Sequence, residues 1–343
     1  MATAKPPAER QVFYDKIDRV HLAPLWECFT DYVTHEPQSP AQPYLWRYEE
    51  LRPYLMESGG LITAKEAERR VLILENPGMR GQARITRSLY AGLQLVMPHE
   101  VAPCHRHSQT ALRLMLEGRA YTGVGGERIE MAPGDFVITP PGAWHEHAND
   151  GDAPVVWLDG LDLPLVQLLD AGFAERHEQE VQPQTAPPGY SLARYGANMR
   201  PVGEPPRALT SPVNHYPYAR SREVLAAMAR QGEYDPHHGI KMEFLNPVTG
   251  DPAMPTMSTF IQWLPGGFAA ARYRSSDGMV YAVLEGEGET VVGDTTLRWG
   301  PHDTFVVPSW QFHAHRANGD AVLFSFSDRV VQQKLGLWRE QKD

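Results

Sequence analysis

The sequence predicts an all-β protein, two β-barrels in tandem behind a helical N-terminal arm. Three observations carry this. First, His105 and His107 share one face of an extended stretch, and His145 follows a Pro-Gly turn further on. Side chains alternate along a strand, so two such histidines and a third on a later strand can cap one end of a small barrel. Second, Arg84 to Met97 alternates: Ser88, Tyr90, Gly92 and Gln94 on one face, Leu89, Leu93, Leu95 and Met97 on the other. That is the pattern of a half-buried strand. Third, Pro133, Asp135, Pro140, His145 and His147 recur 168 positions later as Pro301, Asp303, Pro308, His313 and His315. Glu117-Gly118 returns as Glu285-Gly286 at the same offset, and so regular a repeat means two copies of one unit.

Composition bounds the rest. The 343 residues, 42% hydrophobic, suffice for two cores. A net charge of −10 and a pI near 5.8 speak against nucleic acid and anionic membrane partners. There is no apolar run of transmembrane length and Met1 to Arg10 is polar, so a cytoplasmic protein is expected. Two cysteines, Cys28 and Cys104, make no disulfide framework. Cys104 has the opposite parity to His105 and is expected to face away from it.

The chain divides into an arm over 1–80, a first barrel over 81–175, a linker and helical segment over 176–255, and a second barrel over 256–343. In the arm, Leu25–Tyr32 and Ala64–Arg70 read as helices on either side of a proline-rich connector, Pro37–Pro43. The aromatic run Tyr44–Tyr48 is read as packing against a barrel or a neighbouring subunit. Val155–Leu158 reads as a strand, Leu163–Phe173 as a helix, 177–217 as irregular, Arg222–Arg230 as a helix and His237-His238 as a surface turn.

Three neutral imidazoles leave a divalent ion its full charge and open coordination positions. That favours a dianionic bidentate ligand with room for a third molecule, a combination suited to Fe(II) and O₂. Arg113 shares the inward parity of the histidines and can grip an anion; a structural ion pair with a barrel carboxylate is the alternative. The second copy cannot repeat this site. Tyr273 and Ser275 stand where the first has His105 and His107, or Arg272 and Arg274 after a one-residue slip, so His313 is left alone and the barrel is read as structural.

The spacing His105-x-His107, Gly118 and Pro141-Gly142-Ala143-Trp144-His145 resembles the two motifs of the cupin superfamily. The fold implied is the double-stranded β-helix, and two copies make a bicupin. Ala111 stands where many cupins carry a ligating Glu, and His99 where the motif often has Gly.

Longer stretches resemble the gentisate 1,2-dioxygenase family, which includes salicylate and 1-hydroxy-2-naphthoate dioxygenases. They are Arg69-Arg70-Val71-Leu72 to Asn76-Pro77-Gly78, Leu89 to Gln94, His105 to Arg113, Gly134 to His147, Arg274 to Gly278 and Pro308-Ser309-Trp310, spanning roughly residues 45 to 340. The resemblance implies one Fe(II) per chain, held in the first barrel by His105, His107 and His145, and a homotetramer. It implies a substrate that chelates iron through a carboxylate and an ortho-hydroxyl. O₂ then opens the ring between the carbons bearing those groups, and gentisate gives maleylpyruvate. By the same resemblance Arg113 holds the carboxylate with Arg69 or Arg70 as second cation, Tyr90, Gly92 and Gln94 line the pocket, and His147 is an acid/base group. A non-oxygenase metal-dependent cupin and a non-catalytic binding bicupin are the rival readings.

Overall fold

The computed structural model describes residues 7–197, 199–203 and 209–343. The chain forms two compact units, Met1–Gln38 and Ser39–Asp343. The small unit holds the helices Ala8–Asp18 and Leu25–Tyr32. The second of these matches the expected span. The first falls within the arm read as mainly helical, though the sequence does not single out its bounds, because its apolar residues are scattered among charges rather than gathered in a stripe. Within this unit Trp26 Nε1 donates to the Tyr14 hydroxyl, which donates to Glu27.

In the large unit each barrel is a six-stranded antiparallel sheet with a five-stranded one. In the first, Val71–Ile73, Tyr90–Val96, Val155–Leu161, Ala111–Glu117, Phe136–Thr139 and His215–Tyr216 form the larger sheet. Ala174–Arg176, Val101–His107, His145–Ala148, Ala120–Val124 and Glu127–Met131 form the smaller. The second barrel repeats this, with Tyr273–Ser275 and His313–Ala317 in the smaller sheet.

The Tyr90–Val96 strand is buried on both faces rather than one. Its Leu93 and Leu95 join Leu114 and Leu158 against Val280, Val306 and Phe324 of the second barrel. The other face looks into the first barrel, whose core includes Met115, Ile129, Val137 and Trp157. The two larger sheets therefore pack on each other, and alternation of leucines with polar residues marks an inter-barrel face, not a solvent face.

The segments ahead of the barrels are exchanged. Tyr44–Trp46, read as part of a helical arm, is a strand that pairs with Thr304–Val307 of the second barrel. His215–Tyr216, ahead of the second barrel, pairs with Phe136–Thr139 of the first. A helix follows each strand, Tyr48–Leu61 and Tyr218–Ala229. The 177–217 stretch also contains a helix, Tyr190–Tyr195; residues 198 and 204–208 of it lie outside the described residues.

Two expected helices are shorter than read. Ala64–Ala67 ends where Glu68 takes φ +56°, and Leu163–Leu168 ends before Asp170 at φ +52°. The chain then turns back to lay Ala174–Arg176 against the His105–His107 strand. His237 and His238 do lie in a turn, but it is tucked inward: His237 is buried and His238 packs edge-on to Tyr273 with ring centroids 4.6 Å apart. His99 stands at φ +60°, a conformation glycine adopts freely and which explains why a glycine suits that turn.

Candidate active site

His105 and His107 come from the strand Val101–His107 and His145 opens the strand beside it, with His105 directly opposite His145. The ligand atoms of the three all lie within 4.8 Å of one another. Outer contacts orient two of the rings. His107 Nδ1 is 3.0 Å from the Gln109 carbonyl and His145 Nδ1 is 3.0 Å from the Ala143 carbonyl. A carbonyl only accepts, so both Nδ1 atoms carry the proton and both Nε2 lone pairs are free. His105 Nε2 and His145 Nε2 stand 3.0 Å apart. Burial, then the Arg69 charge, pushes His105 down to about 2. Burial, then Arg113, pushes His107 down to about 4. The donor set thus fits a divalent metal: a partly buried cluster of neutral imidazoles whose convergent lone pairs one shared cation satisfies.

The larger sheet supplies the facing wall. Gly92, Asp159 and Arg113 stand in one row across three strands, and Gln94, Trp157 and Met115 in the next. Arg113 is buried; Nη1 donates to Thr139 Oγ1 at 2.5 Å and Nε lies 3.6 Å from Asp159 Oδ1, with no hydrogen-bond partner among the described residues. Asp159 accepts from Trp157 Nε1 at 3.0 Å. Burial raises its carboxyl to about 6, against the pull of Arg113 and Arg69. Sequence reasoning missed Asp159 because it was placed past the end of an apolar strand, Val155–Leu158, that runs on to Leu161. A lone carboxylate at the parity of Trp157 was the available signal.

Arg69 comes to the same place. Its guanidinium donates to the Glu68 and Pro103 carbonyls at 2.7 and 2.9 Å, and to the His145 carbonyl at 3.4 Å. Arg70 does not. The adjacent residue points the other way, into a paired contact with Glu100 and a 2.8 Å bond to the Ile62 carbonyl. Between the two arginines offered as second cation, only Arg69 is beside the histidines.

His147 is fully buried behind His145. Thr122 Oγ1 donates to the Glu146 carbonyl at 2.9 Å and lies 2.8 Å from His147 Nδ1. The single hydroxyl proton is committed, so Nδ1 must be the donor and Nε2 holds a lone pair. Among the described residues neither that Nε2 nor Gln94 Nε2 has a partner. Buried polar atoms left unpaired cost free energy unless a ligand or water meets them. Gly92 stands opposite Asp159 on this wall. Its missing side chain makes room for Tyr90 and Val71, since a Cβ there would fall 2.9 Å from Tyr90 Oη and 2.4 Å from Val71 Cγ1. A cleft of about 370 Å³ lined by Lys65, Glu68, Pro103, His105 and Arg176 reaches the cluster from the surface.

The cupin domain family matches residues 92–161 and 259–326, one span in each barrel. Gentisate 1,2 dioxygenase 1 of Aquipseudomonas alcaligenes is 57% identical, over 99% of both chains. The chain belongs to the gentisate 1,2-dioxygenase family. A second family relative, 5-aminosalicylate 1,2-dioxygenase of Comamonas sp, is 38% identical over 96% of this chain and 89% of its own. Among solved structures, the salicylate 1,2-dioxygenase of Pseudoaminobacter salicylatoxidans with gentisate superposes at a TM-score of 0.92. It is 32% identical and the match covers 100% of this chain and 96% of that one. The bicupin fold and the ring-cleaving dioxygenase class expected from the sequence both hold. The barrels also settle the repeat: Tyr273 faces His313 as His105 faces His145, so Tyr273 and Ser275, not Arg272 and Arg274, occupy the lost ligand positions.

Proposed function

We propose that this chain is an Fe(II)-dependent dioxygenase that opens gentisate between the carbons bearing the carboxylate and the ortho-hydroxyl, giving maleylpyruvate. The observation that carries it is the facing of the three-histidine cluster by two arginines, Arg69 and Arg113, with Asp159 beside Arg113. This is a net positive chamber built for an anionic chelating ligand. His105, His107 and His145 would hold the iron. When bound, iron supplies a chelation point for carboxylate and hydroxylate and passes electron density from ring to O₂.

The chain's own residues do the rest. Arg113, with Arg69, receives the substrate carboxylate and fixes the ring's orientation, a contribution worth orders of magnitude when alignment is at stake. The free Nε2 of His147 takes up the proton of a substrate hydroxyl, and Thr122 holds the ring in the tautomer that leaves this lone pair free. Gln94 Nε2 is the unpaired donor available to an additional ring hydroxyl, and Tyr90 lines the wall. Satisfying a second hydroxyl is what separates gentisate from salicylate, because a pocket donor left unpaired penalises the ligand that lacks it. The enzyme is proposed to work as a homotetramer in the cytoplasm with one iron per chain.

Oxygen uptake with Fe(II)-loaded enzyme tests this on gentisate, salicylate and 1-hydroxy-2-naphthoate. A kcat/KM at least tenfold higher for gentisate is expected. A preference for either other acid overturns the substrate assignment, and metal-dependent turnover without O₂ consumption overturns the reaction.

A further inference from the structure

The second barrel has lost its metal ligands, yet its interior keeps the polar pattern of the first. Strand register aligns the two walls. Gln94 opposite Trp157 corresponds to Gln262 opposite Leu323, and Asp159 opposite Arg113 corresponds to Ser325 opposite Tyr281. Val71 opposite Gln94 corresponds to Lys241 opposite Gln262. The buried atoms without partners follow the same correspondence. In the first barrel they include Gln94 Nε2 and His147 Nε2; in the second, Gln262 Oε1, His315 Nε2 and Ser325 Oγ. Gln262, His315 and Ser325 are no more than 2% exposed. A barrel kept only for packing has no reason to retain them, since each costs free energy that an apolar side chain would not.

The cation has moved rather than vanished. Tyr281 fills the place of Arg113, but Lys241, where the first barrel has an apolar valine, brings an ammonium to the same face. That ammonium lies 4.8 Å from the Phe260 ring and 5.4 Å from the Tyr281 ring. Its hydrogen-bond contact is Met279 Sδ at 3.9 Å; among the described residues no carboxylate is at ion-pair distance, and Asp277 and Glu243 act on it from farther away. Arg329, by contrast, is already committed to Asp277 and the Tyr273 hydroxyl. Lys241 is partly exposed and stands on the edge strand of the larger sheet.

We propose that the second barrel is a metal-free binding site for a small aromatic hydroxy acid. Lys241 pairs with the carboxylate, Phe260 and Tyr281 flank the ring, Ser325 donates, and Gln262 Oε1 accepts from the hydroxyl. This inference goes beyond the proposed reaction and does not depend on it, because the site uses none of the residues assigned to ring opening.

The probe is 3-hydroxybenzoate, whose meta-hydroxyl cannot close a chelate with the carboxylate on a metal. Calorimetric titration of the full chain, metal-loaded under nitrogen and again after chelator treatment, should give one saturable equivalent per chain in both states. Arg113→Ala should leave it unchanged. Lys241→Met should weaken it at least tenfold with metal content unaltered, and Lys241→Arg should restore it. Should Lys241→Met fold poorly, as judged by lost metal, Gln262→Leu takes its place with the same expectation. Absence of saturable binding overturns the proposal. So does binding that disappears with the metal or with Arg113, or that survives both Lys241→Met and Gln262→Leu.

Discussion

Asp303 of the second barrel accepts a 2.8 Å hydrogen bond from the backbone N–H of Tyr48, the first residue of the helix ahead of the first barrel. The same Tyr48 gives its hydroxyl to Glu117 of the first barrel, where Arg52 also binds. The mirror image exists. Asp135 of the first barrel caps Tyr218 at 2.9 Å, while the Tyr218 hydroxyl and Arg222 grip Glu285 of the second. Each helix is thus pinned to both barrels by one Tyr-x-x-x-Arg pair, and the repeated Asp and Glu are its anchors.

Removing an anchor should cost stability without touching chemistry. Asp303→Ala loses the cap and should lower unfolding free energy by about 1–2 kcal/mol. Asp135→Ala should cost more, because Asp135 also binds His215 at 2.9 Å. Urea titration of metal-stripped protein checks both; equal costs would contradict the added role of His215.

The metal prediction separates the two barrels. His105→Ala, His107→Ala and His145→Ala should each abolish metal binding and turnover. His313→Ala should leave one metal per chain, because Tyr273 and Ser275 offer it no fellow ligands. Two metals per wild-type chain by elemental analysis would break the assignment.

Arg113→Ala should retain metal and lower kcat/KM about 100-fold, roughly 3 kcal/mol, with KM raised. Normal turnover in a destabilised protein would show instead that Arg113 serves only as the partner of Asp159.

Asp159 sets a pH dependence in the metal-free protein. Its folded value, about 6, lies above its unfolded value, so the folded state holds the proton more tightly. The sign follows: this group's stabilising contribution is full at low pH, falls as pH rises through about 4 to 6, and is constant above. Relative to Asp159→Asn, wild type should lose at most about 3 kcal/mol across that window. A difference that does not change with pH between 4 and 7 would mean an unperturbed carboxyl.

By itself the sequence determined the metal cluster and the barrel repeat. Each is written in local order, because strand parity puts His105 and His107 on one face, and a constant offset needs no coordinates. Arg113, read by the same parity, lies instead on a separate strand of the facing sheet, because the chain turns between His107 and Ala111. Tertiary structure alone decided between Arg69 and Arg70, adjacent residues whose directions depend on the backbone leaving the Ala64–Ala67 helix at Glu68. It alone brought Asp159 beside Arg113, a pairing across two strands 46 positions apart. It also decided that Tyr44–Trp46 belongs to the second barrel, more than 250 residues from its partner strand. The physical reason is common to all three. Local pattern fixes which face a side chain takes on its own strand, but which strand lies next to it depends on how hydrophobic faces far apart in the chain find one another.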